Sequence, residues 1–185
     1  MADSRYLPPS TLRLFMDNVP PVFDESFRKK LSDLVTWRRR RFRTSPVPEA
    51  LLDSLIHLAS LSPSVGYSQP WRFVRVQDPG KRSAIRSNFD HCNRAALDSY
   101  EGERAELYAR LKLAGLDTAP EQVAVFCDME AITGYGPGRR MMPEMHEYSV
   151  VIACHTLWLA SRAYGVGMGW ISILSNLETF RSYGL

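Results

Sequence analysis

Apolar residues recur at helical spacing in four blocks and cluster in three shorter runs, and this pattern lays out the chain. Phe27, Leu31, Leu34 and Val35 share one face of a first helix, for which Asp24 is a suitable N-cap. Leu51, Leu52, Leu55, Ile56 and Ala59 give a second helix its buried face. Pro48 suits its first turn, where a missing N–H is no loss, and Ser62-Pro63 ends it. After a loop of small and turn-forming residues, Ser64 to Pro70, the run Trp71 to Gln77 predicts a strand that Pro79-Gly80 breaks. Ile85, Phe89, Cys92 and Ala96 mark a third helix, and Gln122 to Cys127 a second strand. A fourth helix covers Glu144 to Tyr164. It is apolar nearly all round from Val150 to Ala160, which predicts the central buried helix, and Gly165 is its stop. Gly167 to Leu174 predicts a third strand with a glycine-rich lead-in, and Leu177 to Tyr183 a short closing helix.

Other stretches are less patterned. Residues 1–22 hold Pro8, Pro9, Pro20 and Pro21 and predict an extended arm ahead of a single domain over 23–185. Glu101 to Leu116 is a polar helix with a narrow apolar edge, Leu107 and Leu111, and suits a position over a cavity. Gly134, Gly136, Pro137 and Gly138 form a flexible segment followed by Arg139-Arg140. Three strands make a thin sheet with two open edges, which a partner chain or further sequence should cover. The fold class expected is α+β, a mixed or antiparallel sheet flanked by helices.

Composition adds limits. Of 185 residues 45% are hydrophobic, enough for a real core, and the net charge of +3 is too mild to imply nucleic-acid binding. Three scattered cysteines, Cys92, Cys127 and Cys154, suit reduced thiols rather than a disulfide framework or zinc site. No run is long and apolar enough for a membrane span, and the N-terminus has no signal-peptide pattern. A soluble, cytoplasmic protein is expected.

Among candidate chemistries, Trp37-Arg38-Arg39-Arg40-Arg41-Phe42-Arg43 stands first, with five guanidinium groups in seven residues. Arginine forks match phosphate oxygens and stay charged. A solvated helix end or a nucleic-acid patch would look the same in sequence, and charge runs are usually surface. Gly165-Val166-Gly167-Met168-Gly169 follows a helix and opens a strand, the reverse of a dinucleotide-binding loop. Its glycines instead suit close approach to something flat. His57, His91, His146 and His155 lack ligand spacing, and His155 reads as a satisfied core histidine. Ser172 has no nearby histidine to support a hydrolase triad. Met141, Met142 and Met145 read as loop residues filling gaps or lining a ring pocket. An arginine clamp, the Ser62-to-Gly66 loop and the glycine-rich segment bearing Trp170 and Ser172 together answer what a flavin mononucleotide needs: phosphate charge, close backbone and an apolar wall.

At these residues the chain resembles the nitroreductase-like FMN flavoprotein superfamily, and within it the 5,6-dimethylbenzimidazole synthases. The matching stretches are Trp37 to Arg39, Arg40 to Arg43, Ser62 to Trp71, Gly102-Glu103-Arg104, Leu111-Lys112-Leu113 and Gly165 to Ile173. The resemblance implies an α+β nitroreductase-like fold, a homodimer with flavin at the subunit interface, and oxygen-dependent conversion of reduced FMN to 5,6-dimethylbenzimidazole, the lower ligand of vitamin B12. A separate flavin reductase would supply the reduced FMN. It implies that Arg38, Arg39 and one or both of Arg40 and Arg41 hold phosphate and ribityl oxygens. Pro63, Ser64, Val65 and Gly66 would touch the ring or its chain, and Gly169 and Ser172 would lie at the isoalloxazine, Ser172 being the catalytic candidate. The helix over Glu101 to Leu116 would be a lid. The family's arginine motif reads Arg-Arg-Asp-Val-Arg-Arg-Phe; here Arg39 meets Arg40 directly. The family's catalytic aspartate is thus absent and spacing of about 7 Å is lost, which implies impaired proton transfer. The family also continues past Leu185, so a C-terminally short domain is expected. Two alternatives stay open: an FMN-dependent NAD(P)H nitroreductase or flavin reductase, and an inactive flavin-binding remnant.

Overall fold

The computed structural model describes residues 23–35, 43–97, 114–131 and 141–175. The chain falls into two compact units, 1–37 and 38–185. In the first, α1 spans Glu25–Val35. Asp24 caps it as expected, its Oδ1 accepting the Phe27 N–H at 2.8 Å. Phe23 stacks on Phe27 with ring centroids 4.4 Å apart, which fixes the chain's entry to the helix. The predicted arm, residues 1–22, lies outside the described residues.

The second unit is organised around one long helix. Its described elements are α2 (Glu49–Ser60), a short 3-10 turn (Val65–Tyr67), β1 (Trp71–Arg75), α3 (Pro79–Leu97), α4 (Ala114–Thr118), β2 (Val123–Cys127) and α5 (Met145–Ala163). The strands pair antiparallel, Trp71 opposite Cys127 and Phe73 opposite Val125. This register puts Trp71, Phe73, Val125 and Cys127 on one face, against Val150, Ala153 and Cys154 of α5. Further along, Leu157 packs on Leu55 and Ala59 of α2, with Phe73 and Met168 filling in. Full burial of a leucine such as Leu55 is worth roughly 1.5–3 kcal/mol, so α5 is bound to the sheet on one side and to α2 on another.

Charged groups tie the edges. Arg75 on β1 reaches Glu49 at 3.0 Å and Glu121 at 3.3 Å, and Arg86 on α3 reaches Asp117 at 2.8 Å. Arg82 does something different: it donates to the backbone carbonyls of Val76, Ala119 and Pro120 at 2.7, 3.4 and 2.8 Å, joining the exit of β1, the exit of α4 and the approach to β2.

Four expectations need correction. Pro79-Gly80 does not merely break a strand: Asp78 caps α3 through the Lys81 N–H at 2.8 Å, and Pro79 fills the first helical position. Pro48 stands one residue before α2, as its cap rather than in its first turn. Gly167 to Leu174 makes no strand; the described sheet has two strands. Glycines at 167 and 169 weaken a strand, and this segment pairs with neither described strand. Finally, α5 is not buried all round. Tyr148, Val151, Ile152 and His155, at i, i+3, i+4 and i+7, form an exposed stripe.

Candidate active site

Two irregular segments carry the predicted ring-side residues, and α5 fastens both. The first is the loop 62–70. Ser62 Oγ donates to Thr156 Oγ1 at 2.7 Å. The Val65 N–H donates to Ser149 Oγ at 3.1 Å, and the Ser149 hydroxyl in turn donates to the Met145 carbonyl at 2.6 Å. Ser149 and Thr156 stand about two helical turns apart, so the loop lies along α5. Within it, Ser64 Oγ accepts the Gln69 N–H at 3.0 Å, and its carbonyl accepts the Tyr67 N–H at 3.1 Å.

This turn is tight enough to force unusual backbone. Gly66, Tyr67 and Gln69 have φ of +54°, +58° and +45°. For the two non-glycine residues that conformation costs about 1–2 kcal/mol each, and it persists only where neighbouring contacts fix it. The serine hydroxyls above supply those contacts. The result is a loop whose inner residues, Ser62, Ser68 and Pro70, are buried, while Pro63 and Gly66 are exposed and Ser64 and Val65 half-buried.

The second segment is 166–175. It leaves α5 through a turn closed by two bonds, Gly165 N–H to the Arg162 carbonyl at 3.0 Å and Val166 N–H to the Ser161 carbonyl at 2.8 Å, with Gly165 at φ +72° as anticipated. Met168 packs into the α2–α5 cluster. At the far end, Asn88 of α3 grips Ser175 through both its side chain and its backbone. Between these two anchors Gly169, Trp170 and Ser172 face solvent. Arg38, Arg39, Arg40 and Arg41 lie outside the described residues, as does most of the predicted lid, 101–113.

Other titratable groups are placed less expectedly. His155 is not a core histidine; it is exposed and stacks on Trp158 at 5.9 Å between centroids. The buried one is His146, whose Nε2 makes no hydrogen bond. Met141 and Met142 fill no gap, being exposed. Burial pushes the Cys127 thiol up, reinforced by Glu147 and Asp128 and opposed by Arg72. Burial alone pushes Cys154 up. Neither therefore presents a thiolate near neutral pH. Among the described residues no group of His, Cys, Asp and Glu could hold a metal ion. An open cleft of about 450 Å³ lies along α2, lined by Asp53, Ser54, His57, Leu58 and Tyr164. None of the predicted site residues lines it.

Chemically, the two α5-anchored segments offer close backbone and exposed hydroxyl-bearing residues at Tyr67 and Ser172. The positions that sequence reasoning missed are Ser149, Thr156, Asn88 and Ser175, which hold these segments. One signal was present for Ser149: a serine interrupting an otherwise apolar helical stripe.

The family model for nitroreductases matches residues 35–182, most of the chain. The chain belongs to the nitroreductase family. Among its relatives in that family, the 5,6-dimethylbenzimidazole synthase of Rhodospirillum rubrum is 53% identical over 156 residues, which cover 83% of this chain and 74% of the relative. An enzyme of the same name from Rhodobacter capsulatus is 44% identical, covering 82% and 74%. Among solved nitroreductase-fold structures, oxidized iodotyrosine deiodinase bound to FMN and 3-iodo-L-tyrosine superposes with a TM-score of 0.65 at 23% identity, covering 83% of this chain and 80% of that one. The fold of helices around a small antiparallel sheet is thus that of the nitroreductase family.

Proposed function

We propose that this chain is an oxygen-dependent, flavin-fragmenting enzyme that converts reduced FMN to 5,6-dimethylbenzimidazole. Its high identity to the Rhodospirillum rubrum synthase carries the reading. Reduced FMN supplies both the carbon skeleton of the product and the electrons that oxygen takes up. The described residues fit the ring end of that molecule: two segments of small residues are held against one helix, with exposed Gly66 and Gly169 allowing close approach and Ser172 offering a hydroxyl. In this reading Pro63, Ser64, Val65 and Gly66 bear on the ring or its chain. Ser172 hydrogen-bonds the reactive edge. Arg38, Arg39 and one or both of Arg40 and Arg41 hold the phosphate and ribityl oxygens by charge-assisted hydrogen bonds. The missing carboxylate between Arg39 and Arg40 leaves proton transfer without its family residue, so turnover is slow.

The protein works as a cytoplasmic homodimer, in keeping with its three free thiols and the exposed stripe on α5, and a separate flavin reductase feeds it. Reduced FMN and air, supplied without nicotinamide, should yield free dimethylbenzimidazole. Reoxidised FMN as the sole product overturns the reading. If the protein is yellow but inert, it is the flavin-binding remnant that the Arg39–Arg40 junction would also produce. Replacing Arg38 and Arg39 by alanine should weaken FMN binding far more than riboflavin binding, measured by fluorescence titration; equal losses rule out the phosphate role.

A further inference from the structure

We propose that Asn88 is a positioning residue for Ser172, acting through Ser175; this rests on the flavin reading above. Among the described residues the segment 166–175 makes no ladder hydrogen bonds to shape it. Backbone without a ladder takes its geometry from whatever other partners its polar groups find. Among the described residues those partners stand at the ends, the α5 exit turn on one side and Asn88 on the other. The Asn88 amide donates to Ser175 Oγ, and its Oδ1 accepts the Ser175 N–H at 2.9 Å. One side chain thus fixes both the position and the direction of the chain three residues beyond Ser172.

Asn88 also sits where local preference disfavours it. Asparagine is a poor helix former, yet this one occupies the interior of the 19-residue α3 and is only 7% exposed. A buried amide is kept where its hydrogen bonds specify a geometry that an apolar residue could not. Its Oδ1 additionally accepts a long contact from Cys92 Sγ, one turn on, at 3.7 Å, which steadies the amide plane. Around it Ile85 and Phe89 are apolar and buried, and neither side chain could replace the amide as a hydrogen-bond partner for Ser175.

The test uses the full chain with FMN and three variants. Asn88→Leu removes both bonds; Ser175→Ala removes only the side-chain bond; Asn88→Asp keeps an acceptor for the Ser175 N–H and for its hydroxyl. Asn88→Leu should lower the product-forming rate at saturating reduced FMN by about tenfold or more, the scale expected when a reacting group is misplaced by a fraction of an ångström. KM should stay within about twofold, and the visible absorption band of bound FMN should shift. Ser175→Ala should show a smaller change of the same kind, and Asn88→Asp should restore most of both readouts. The proposal fails if the variants lose only thermal stability while band and saturated rate stay at wild-type values, or if Asn88→Asp is no better than Asn88→Leu. Should Asn88→Leu not fold, Ser175→Ala decides by the same two readouts. The absorption band needs no turnover, so it decides even if the wild type forms no product. A wild type that binds no FMN defeats the parent reading, and this one with it.

Discussion

Cys154 sits at the contact between α5 and the sheet, beside Trp71 and Ala153. Burial raises its pKa, as it does that of Cys127. In the unfolded chain a thiol ionises near 8.5. The folded protein therefore holds protons there that the unfolded chain gives up. That contribution to stability is complete below about pH 8.5 and is lost as pH rises through the folded values. Urea midpoints measured from neutral to alkaline pH should fall on the alkaline side. Cys154→Ala should flatten that fall while leaving the unfolding free energy at neutral pH within about 1 kcal/mol of wild type, a small cost because little volume is removed. An unchanged alkaline slope would mean that Cys154 titrates alike in the folded and unfolded chains. At this same scale Ser172 was singled out by a family motif and its role is a proposal, whereas the contacts of Ser149 and Asn88 had no such mark. A single serine or asparagine in a helix carries no mark of the residue it will meet more than 80 positions away.

Helices were read from the sequence better than strands, and the cause is local. α2 and α5 announce themselves by apolar spacing and by their stops, and the α5 stop is a complete turn with both closing bonds made. Gly165 matters there for its backbone alone, since a Cβ would meet nothing within 4 Å while φ is +72°. Gly165→Ala should therefore cost about 1 kcal/mol or slightly more, the left-handed penalty without a clash. Chemical denaturation checks this, and a loss several times larger would point to a contact with the adjoining segment. The segment 167–174 misled because Trp170, Ile171, Ile173 and Leu174 resemble a strand by composition. β-propensity measures fit to a half-buried pleated surface, and only pairing with a neighbour supplies one. Pro79 misled in the opposite sense: the pattern Asp78-Pro79 is both a strand breaker and a helix start, and only the Asp78 cap bond separates the two.

For the 38–185 unit as a whole, the fold class was readable and the outer face of its main helix was not. A helix apolar on all sides can be enclosed by its own chain or by another. Here Val151 and Ile152 remain 47% and 42% exposed while Ala153 is fully buried. That division suits a homodimer in which the open stripe faces a second copy. Ile152→Glu should shift sedimentation equilibrium toward the monomer with little loss of monomer stability, because the side chain already reaches solvent in one chain. A dimer unaffected by this charge would place the interface elsewhere.

The three-carbonyl grip of Arg82 has a consequence for behaviour in salt. The carboxylate ties of Arg72 and Arg86 are partly exposed, so added salt screens them and they slacken. A guanidinium on peptide oxygens has no opposite charge for salt to screen. The seam where β1, α4 and β2 converge should consequently outlast its ionic neighbours, remaining a rivet of protected amides in an otherwise loosening molecule.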